Sequence, residues 1–230
     1  MFSSKRMTGV AVACATLMSL AVPVASPAAV KVNLRVEGAT KTLFEKNLEA
    51  KPKELRSTIG DNRGAHPCNV ASNGGSGARA ATPTSALSES GLRLGLNWYS
   101  SFNDFLVESV SGEKPEGSRY WSLFVNGKSS ELGGCQVGLK NRDAVVWAVT
   151  DGSEALLAMN ASSNSRSSSV TVTVTDASTG APVESATVGG RSTNAQGRAV
   201  VPRPDRGSRT MKATKSGAIR SNSVKVSARR

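Results

Sequence analysis

The stretch RYWSLFVNGKSSELGGCQVG, residues 119–138, commits part of this chain to a hairpin. Trp121, Leu123 and Val125 alternate with Tyr120, Ser122 and Phe124, and Asn126-Gly127 follows at once. An Asn-Gly pair accepts positive φ at both central positions of a two-residue turn, the geometry that matches the twist of flanking strands. Period-two alternation recurs along the chain. Val30, Val32, Leu34 and Val36 share one side of VKVNLRVEG, Leu92, Leu94, Leu96 and Trp98 one side of GLRLGLNWY, and Val170, Val172 and Val174 one side of VTVTVTD. Residues two apart in a strand lie on one face, so each segment reads as a half-buried strand. A helix is read at TPTSALSESG, with Thr82 as cap, Pro83 at the first position and Gly91 as terminator. The expectation is a mainly β chain with one short helix.

The first thirty residues stand apart. Lys5 and Arg6 precede an apolar run, MTGVAVACATLMSLAVPVA over 7–25, and SPAA follows at 26–29. This pattern is that of a secretory signal peptide, assigned to residues 1–29 with the cut after Ala28 or Ala29. An uncleaved membrane anchor is the other reading, because the run approaches the roughly 20 residues that span a bilayer. Pro23 and Pro27 near its end, and the cleavage-like residues beside them, favour removal. Cys14 lies inside the run with Ala11 where a lipid-attachment cysteine would need Leu, so lipidation is not expected. Without Cys14 the chain keeps Cys68 and Cys135, and a pair of cysteines in an oxidising compartment is expected to form a disulfide. Closing a loop of about 70 residues stabilises a fold by roughly 4 kcal/mol in the chain-entropy account.

NASSNSRSSS at 160–169 holds six serines and nothing large, and reads as a flexible linker between 30–159 and 170–230. Charge divides there too. Residues 30–159 hold 15 Lys and Arg against 14 Asp and Glu, whereas 170–230 hold 11 against 3. In the first module, KTLFEKNLE is the hairpin partner of VKVNLRVEG, and DFLVESVSG and DAVVWAV add strands. Residues 60–77, GDNRGAHPCNVASNGGSG, have five glycines and no period, and read as a long surface loop pinned by Cys68. Hairpin, loop, short helix and further strands suit a mixed sheet with one helix on it, as in a β-grasp. In the second module about six or seven short strands, with turns at Thr179-Gly180 and Asn194–Gly197, suit a small Ig-like β-sandwich.

VNLRVEGATKTLFE, HPCNVASNG, TPTSAL, YWSLFVNGKSSELGGCQ and NRDAVVWAV together resemble a family of secreted, mostly actinobacterial proteins of unassigned function, related to the C-terminal domain of transcobalamin. The resemblance covers about 120 residues and implies a β-grasp-like α+β domain with a Cys68–Cys135 bridge. The chain departs from that family after HPCN, where NVASNGGSG stands in place of an acidic residue and a Thr-Asn-Asn run. VTVTD, PVESATV and TNAQGRA resemble the transthyretin-like, carboxypeptidase-regulatory modules of secreted proteins, which support or display.

No catalytic residue, metal site or cofactor is expected. A Ser/His/Asp arrangement needs a histidine in reach of a serine and a carboxylate. His66, the one histidine, precedes Pro67 in the glycine-rich loop and reads as a solvated loop residue. A metal would need a second cluster of ligands beside His66 and Cys68. Trp121 is expected in the core with Leu123, Val125 and Trp147, leaving Tyr120 and Phe124 under the helix or open to a ligand. Tyr99, Tyr120 and Phe124 are the candidate ligand-binding residues, and the transcobalamin resemblance implies a corrinoid or another flat molecule. The cations of the second module would draw the chain to an anionic cell-wall polymer or membrane surface, by attraction that salt weakens. Nucleic acid is not expected as a partner, because secretion separates them and the basic residues are not interleaved with aromatics. The sequence thus reads as a secreted, two-domain, non-enzymatic binding or structural protein associated with the cell envelope, with extracellular small-molecule binding as the alternative.

Overall fold

The computed structural model describes residue 1 and residues 29–162 and 167–229. The expected signal peptide, Cys14 included, lies outside the described residues apart from its ends, as does the centre of the serine-rich stretch.

Strands β1 (Val30–Glu37) and β2 (Thr42–Ala50) form an antiparallel hairpin, and β3 (Lys53–Ser57) and β4 (Gly64–Cys68) form another. Helix α1 (Pro83–Ser88) follows, then the hairpin of β5 (Leu94–Tyr99) and β6 (Asp104–Val110). After it come β7 (Tyr120–Val125), β8 (Lys128–Ser129) and β9 (Ala144–Thr150). The main sheet runs β2-β1-β9-β7-β8, with β1 parallel to β9. Counting that sheet alone, its strands stand in the order second, first, fifth, third, fourth, with the helix between second and third. This is a β-grasp.

Local chemistry sets its elements. Thr82 and Ser85 cap α1 reciprocally, each hydroxyl accepting from the other's backbone N–H, and Pro83 occupies the first turn. The helix buries Ala86 and Leu87 in one cluster with Leu34, Val36, Trp121, Leu123 and Trp147. Trp147 Nε1 donates to the Pro83 carbonyl at 3.3 Å. Trp121 is in the core, as its alternation predicts. At the β7–β8 turn, Asn126 has φ 53° and Gly127 has φ 84°, and Val125 pairs with Lys128.

The stretch 60–77 is not one long loop. Gly64–Cys68 pairs with Lys53–Ser57, and a 3-10 turn covers Ala71–Asn73. GAHPC has neither alternation nor a β-branched residue, so nothing in its pattern announces a strand. Backbone pairing and the cysteine hold it instead. Its Pro67 lies opposite Glu54 in a sheet of only two strands, where a missing N–H is tolerated.

The second module contains β10 (Ala155–Ala161), β11 (Ser169–Asp176), β12 (Thr187–Val188), β13 (Arg191–Ser192) and β14 (Arg198–Pro202). It ends with β15 (Ser208–Met211), β16 (Ala213–Thr214), β17 (Ala218–Ile219) and β18 (Val224–Ser227). Sheets β14-β11-β10-β17, β13-β12-β16 and β15-β18 enclose a core that includes Leu157, Met159, Val172, Val174, Val201 and Val226. The change of module falls earlier than the serine count implies. Leu157–Ala161 pairs antiparallel with Val172–Asp176, so 155–161 belongs to the second module and not to the first. Serine richness therefore falls after the second module has begun rather than at the junction.

The two modules meet on the sheet face of the β-grasp that is turned away from α1. Phe124, Val146 and Ala148 of that face join Leu156 and Ile219 in a separate apolar cluster. Phe124 is 8% exposed, so it is neither under the helix nor open to a ligand. Gly127 closes against the second module as well: a Cβ there would lie 2.4 Å from the Ala177 carbonyl oxygen. Charges complete the seam. Glu37 Oε2 accepts from Arg220 Nε and from Thr42 Oγ1, both at 2.8 Å, and Glu37 Oε1 accepts from Lys212. Lys212 also reaches Glu45 at 2.8 Å, and the amide and hydroxyl of Ser223 donate to the same carboxylate at 2.7 and 2.6 Å. Arg35 donates to the Arg220 carbonyl at 2.6 Å.

Candidate functional site

The tip of the β5–β6 hairpin and residues 131–136 enclose a recess of about 340 Å³. Tyr99, Phe102, Phe105 and Leu106 supply its apolar lining, and Asp104 and Glu131 its acidic groups. Trp98 and Phe105 pair across the hairpin and meet edge to face, with centroids 4.9 Å apart. His66 stacks on Trp98 at 4.3 Å with planes 5° apart and meets Phe105 edge to face at 6.0 Å. The expected solvated histidine is thus a half-buried layer of an aromatic stack behind the recess.

The rim is tied down through backbone and amide groups. Asn103 takes φ 51°, a left-handed geometry that asparagine tolerates, and its side chain donates to the Ser72 carbonyl at 2.5 Å. The fully buried Asn73 donates to the carbonyls of Pro67 at 2.8 Å and Asn103 at 2.9 Å. Gln136 Nε2 donates to the Phe102 carbonyl at 3.0 Å. The disulfide between Cys68 and Cys135 joins the end of β4 to residues 131–136.

Asp104 sits where these elements converge, 5% exposed. The Cys135 N–H lies 3.2 and 3.1 Å from its two oxygens, and the Phe105 N–H donates to Oδ1 at 2.6 Å. The double glycine before Cys135 has a steric reason. A Cβ on Gly133 would fall 2.0 Å from Asp104 Oδ2, and one on Gly134 would fall 2.1 Å from Thr84 Oγ1. Burial pushes the Asp104 carboxyl up to about 6, against the opposing pull of the Cys135 and Phe105 N–H groups. Among the described residues Asp104 has no ion-pair partner.

The three aromatic residues singled out from the sequence do not share a surface. Tyr99 lines the recess, and Phe124 is covered by the second module. Tyr120 is exposed on β7, beside Gly152, whose Cβ would lie 2.8 Å from the Tyr120 hydroxyl. Phe102, Asp104 and Glu131 were not apparent from the sequence, because hairpin tip and glycine pair are some thirty residues apart. The available signal was Gly133-Gly134, since paired glycines outside a flexible linker mark close approach.

A second surface feature is the charge on the outer side of the second module. Arg191, Arg198, Arg206, Arg209, Lys215, Lys225 and Arg229 are all exposed. Among the described residues none of them forms an ion pair, whereas Lys212 and Arg220 are taken up by the seam.

Fold and surface together define a β-grasp domain with a recess at one hairpin tip, packed against a basic β-sandwich-like module. Residues 94–151 match the family described as a domain of unknown function, DUF4430. The matched stretch begins at β5 and contains the recess lining and Cys135, but not Cys68 or the second module. No curated protein matches the chain.

Proposed function

We propose that this is a secreted, non-enzymatic binding protein of the cell envelope, in which the second module attaches and the first is presented. The observation that carries this reading is the fate of the cations. Two of those in 170–229 are neutralised in the seam, and seven stand exposed without an acidic partner among the described residues. Such a surface is attracted to anionic wall polymers or lipid headgroups over about a Debye length, roughly 10 Å at 0.1 M salt. The resemblance of the two modules to a transcobalamin C-terminal domain and a transthyretin-like module supports display rather than catalysis. So does the use of both cysteines in a disulfide and of His66 in an aromatic stack.

A broad flat ligand such as a corrinoid is the alternative reading; of its candidate residues Tyr99 lines the recess, whereas Phe124 is packed in the seam. What remains for the first module is the smaller recess.

Attachment is tested by co-sedimentation with isolated bacterial cell walls, using the full chain because the modules share buried surface. The mature protein is expected to pellet at low salt and to be released at about 0.3 M, where screening shortens the range of attraction. A variant with Arg198→Gln, Arg206→Gln, Arg209→Gln and Lys225→Gln is expected to stay in solution at low salt. If that variant pellets as the parent does, charge is not the anchor.

A further inference from the structure

We infer that the recess at the β5–β6 tip binds a small organic cation, a protonated amine carried on an aromatic or aliphatic ring. This rests on the reading of the first module as the presented binding unit, but not on attachment to the envelope.

The geometry selects for charge, shape and rigidity together. Asp104 is almost wholly buried, lines the recess, and meets two backbone N–H groups but no cation among the described residues. A carboxylate accepts about four hydrogen bonds, so this one keeps capacity for a donor from outside. Glu131 adds a second, exposed carboxyl at the rim, and among the described residues no Lys, Arg or His lines the recess. An anion would therefore meet two carboxylates and no countercharge from the described lining. Tyr99, Phe102 and Phe105 line the same recess as the carboxylate, and aromatic rings attract a cation at their faces and another ring by stacking. Phe102 is 70% exposed, a large apolar side chain held in water beside a concave apolar surface.

Size and preorganisation point the same way. A volume of about 340 Å³ is at the lower end of small-molecule sites, suiting one ring with a short amine arm. The walls are held by the disulfide, by Asn73 and by Asn103, so little ordering would accompany binding. A bound metal ion is a poorer fit, because no group of three His, Cys, Asp or Glu converges among the described residues.

The experiment titrates the full chain with 2-phenylethylamine and with its uncharged analogue 2-phenylethanol. Calorimetry gives affinity, and the backbone amide resonances of Phe105 and Cys135 report on the carboxylate they bond. The amine is expected to bind roughly tenfold to a hundredfold more tightly than the alcohol, the range for a hydrogen bond to a charged group. Asp104→Asn preserves shape and the N–H acceptor and is expected to erase that preference. Glu131→Gln, on an exposed residue, provides a folded second variant that should weaken the amine alone by a few-fold. Equal binding of amine and alcohol would overturn the cation assignment while leaving the recess as a ligand site. Binding of neither, with no shift at Phe105 or Cys135, would remove the ligand site and with it the first module's role as a binding unit.

Discussion

Glu37 and Asp104 are both almost fully buried carboxylates in one β-grasp domain, and the protein treats them in opposite ways. Around Glu37 it supplies the countercharge itself: Lys212 and Arg220 from the second module, Arg35 from the same strand, and the Thr42 hydroxyl. Around Asp104 it supplies two backbone N–H groups and a recess with aromatic lining. Burial is therefore not what separates a structural acid from a candidate binding acid. The difference lies in whether the fold completes the charge. The seam is a closed set, in which every partner is consumed by joining two modules. The recess is an open set, with acceptor capacity left on the carboxylate and apolar surface left in water.

The sharpest way to break the comparison is to open the closed set. Glu37→Ala leaves the guanidinium of Arg35, 4% exposed, with two neighbouring cations and one fewer acid. Removing one partner of a buried charge cluster typically destabilises by about 3–5 kcal/mol. The expected outcome in urea unfolding is a loss of that size, and a single transition that separates into two as the modules uncouple. A loss below about 1 kcal/mol with one transition retained would mean that water, not the second module, solvates these charges.

How far this contrast was legible in the sequence depends on the range of the interaction. The β7–β8 hairpin was legible, because Asn126-Gly127 is local turn chemistry and Trp121 and Leu123 follow a period of two. The helix was legible from Thr82 and Pro83 for the same reason. β4 was not, because GAHPC is stabilised by a partner strand and a disulfide rather than by its own pattern. Phe124 shows the limit most plainly. Alternation places it correctly on the face opposite Trp121, yet only the second module decides whether that face is open. The same holds for β1, where Arg35 and Glu37 sit at polar positions of an alternating strand and are nonetheless buried. Sequence periodicity reports which residues share a side, and a distant segment decides what covers it.

A seam carboxylate, Glu45, and the recess carboxylate, Asp104, should also titrate in opposite senses. Burial raises the Glu45 carboxyl, but bonds from Lys212 and Ser223 outweigh this and leave it below its ordinary value. Its contribution to stability is present above the unfolded pKa and is lost as pH falls through the lowered folded value. Asp104 is the reverse. Its folded pKa, raised by burial from 3.8 to about 6, makes the ionised form unfavourable above 6, and the relief grows as pH falls toward 3.8. Between pH 7 and pH 5 this group should add about 1 kcal/mol of stability. Asp104→Asn is expected to remove that rise, and Glu45→Gln to leave it intact while blunting the loss below pH 4. A rise that persists in Asp104→Asn would place the titration elsewhere and undo the description of Asp104 as an uncompensated acid.

The smallest expected effect on stability tests the open set directly. Phe102 lies on the hairpin tip, 70% exposed, with its backbone carbonyl already bonded by Gln136 and its N–H by Tyr99. Removing the ring touches none of those bonds, so Phe102→Ala should shift the urea midpoint by no more than about 0.5 kcal/mol, the range of surface substitutions. The same change should weaken 2-phenylethylamine several-fold, because an exposed cation–ring contact contributes about 0.5–1 kcal/mol. A side chain that matters to a ligand and not to the fold is the signature of a surface kept open. If Phe102→Ala instead costs more than about 1 kcal/mol, the ring is packing against the tip as Phe124 packs into the seam, and the recess belongs to the core.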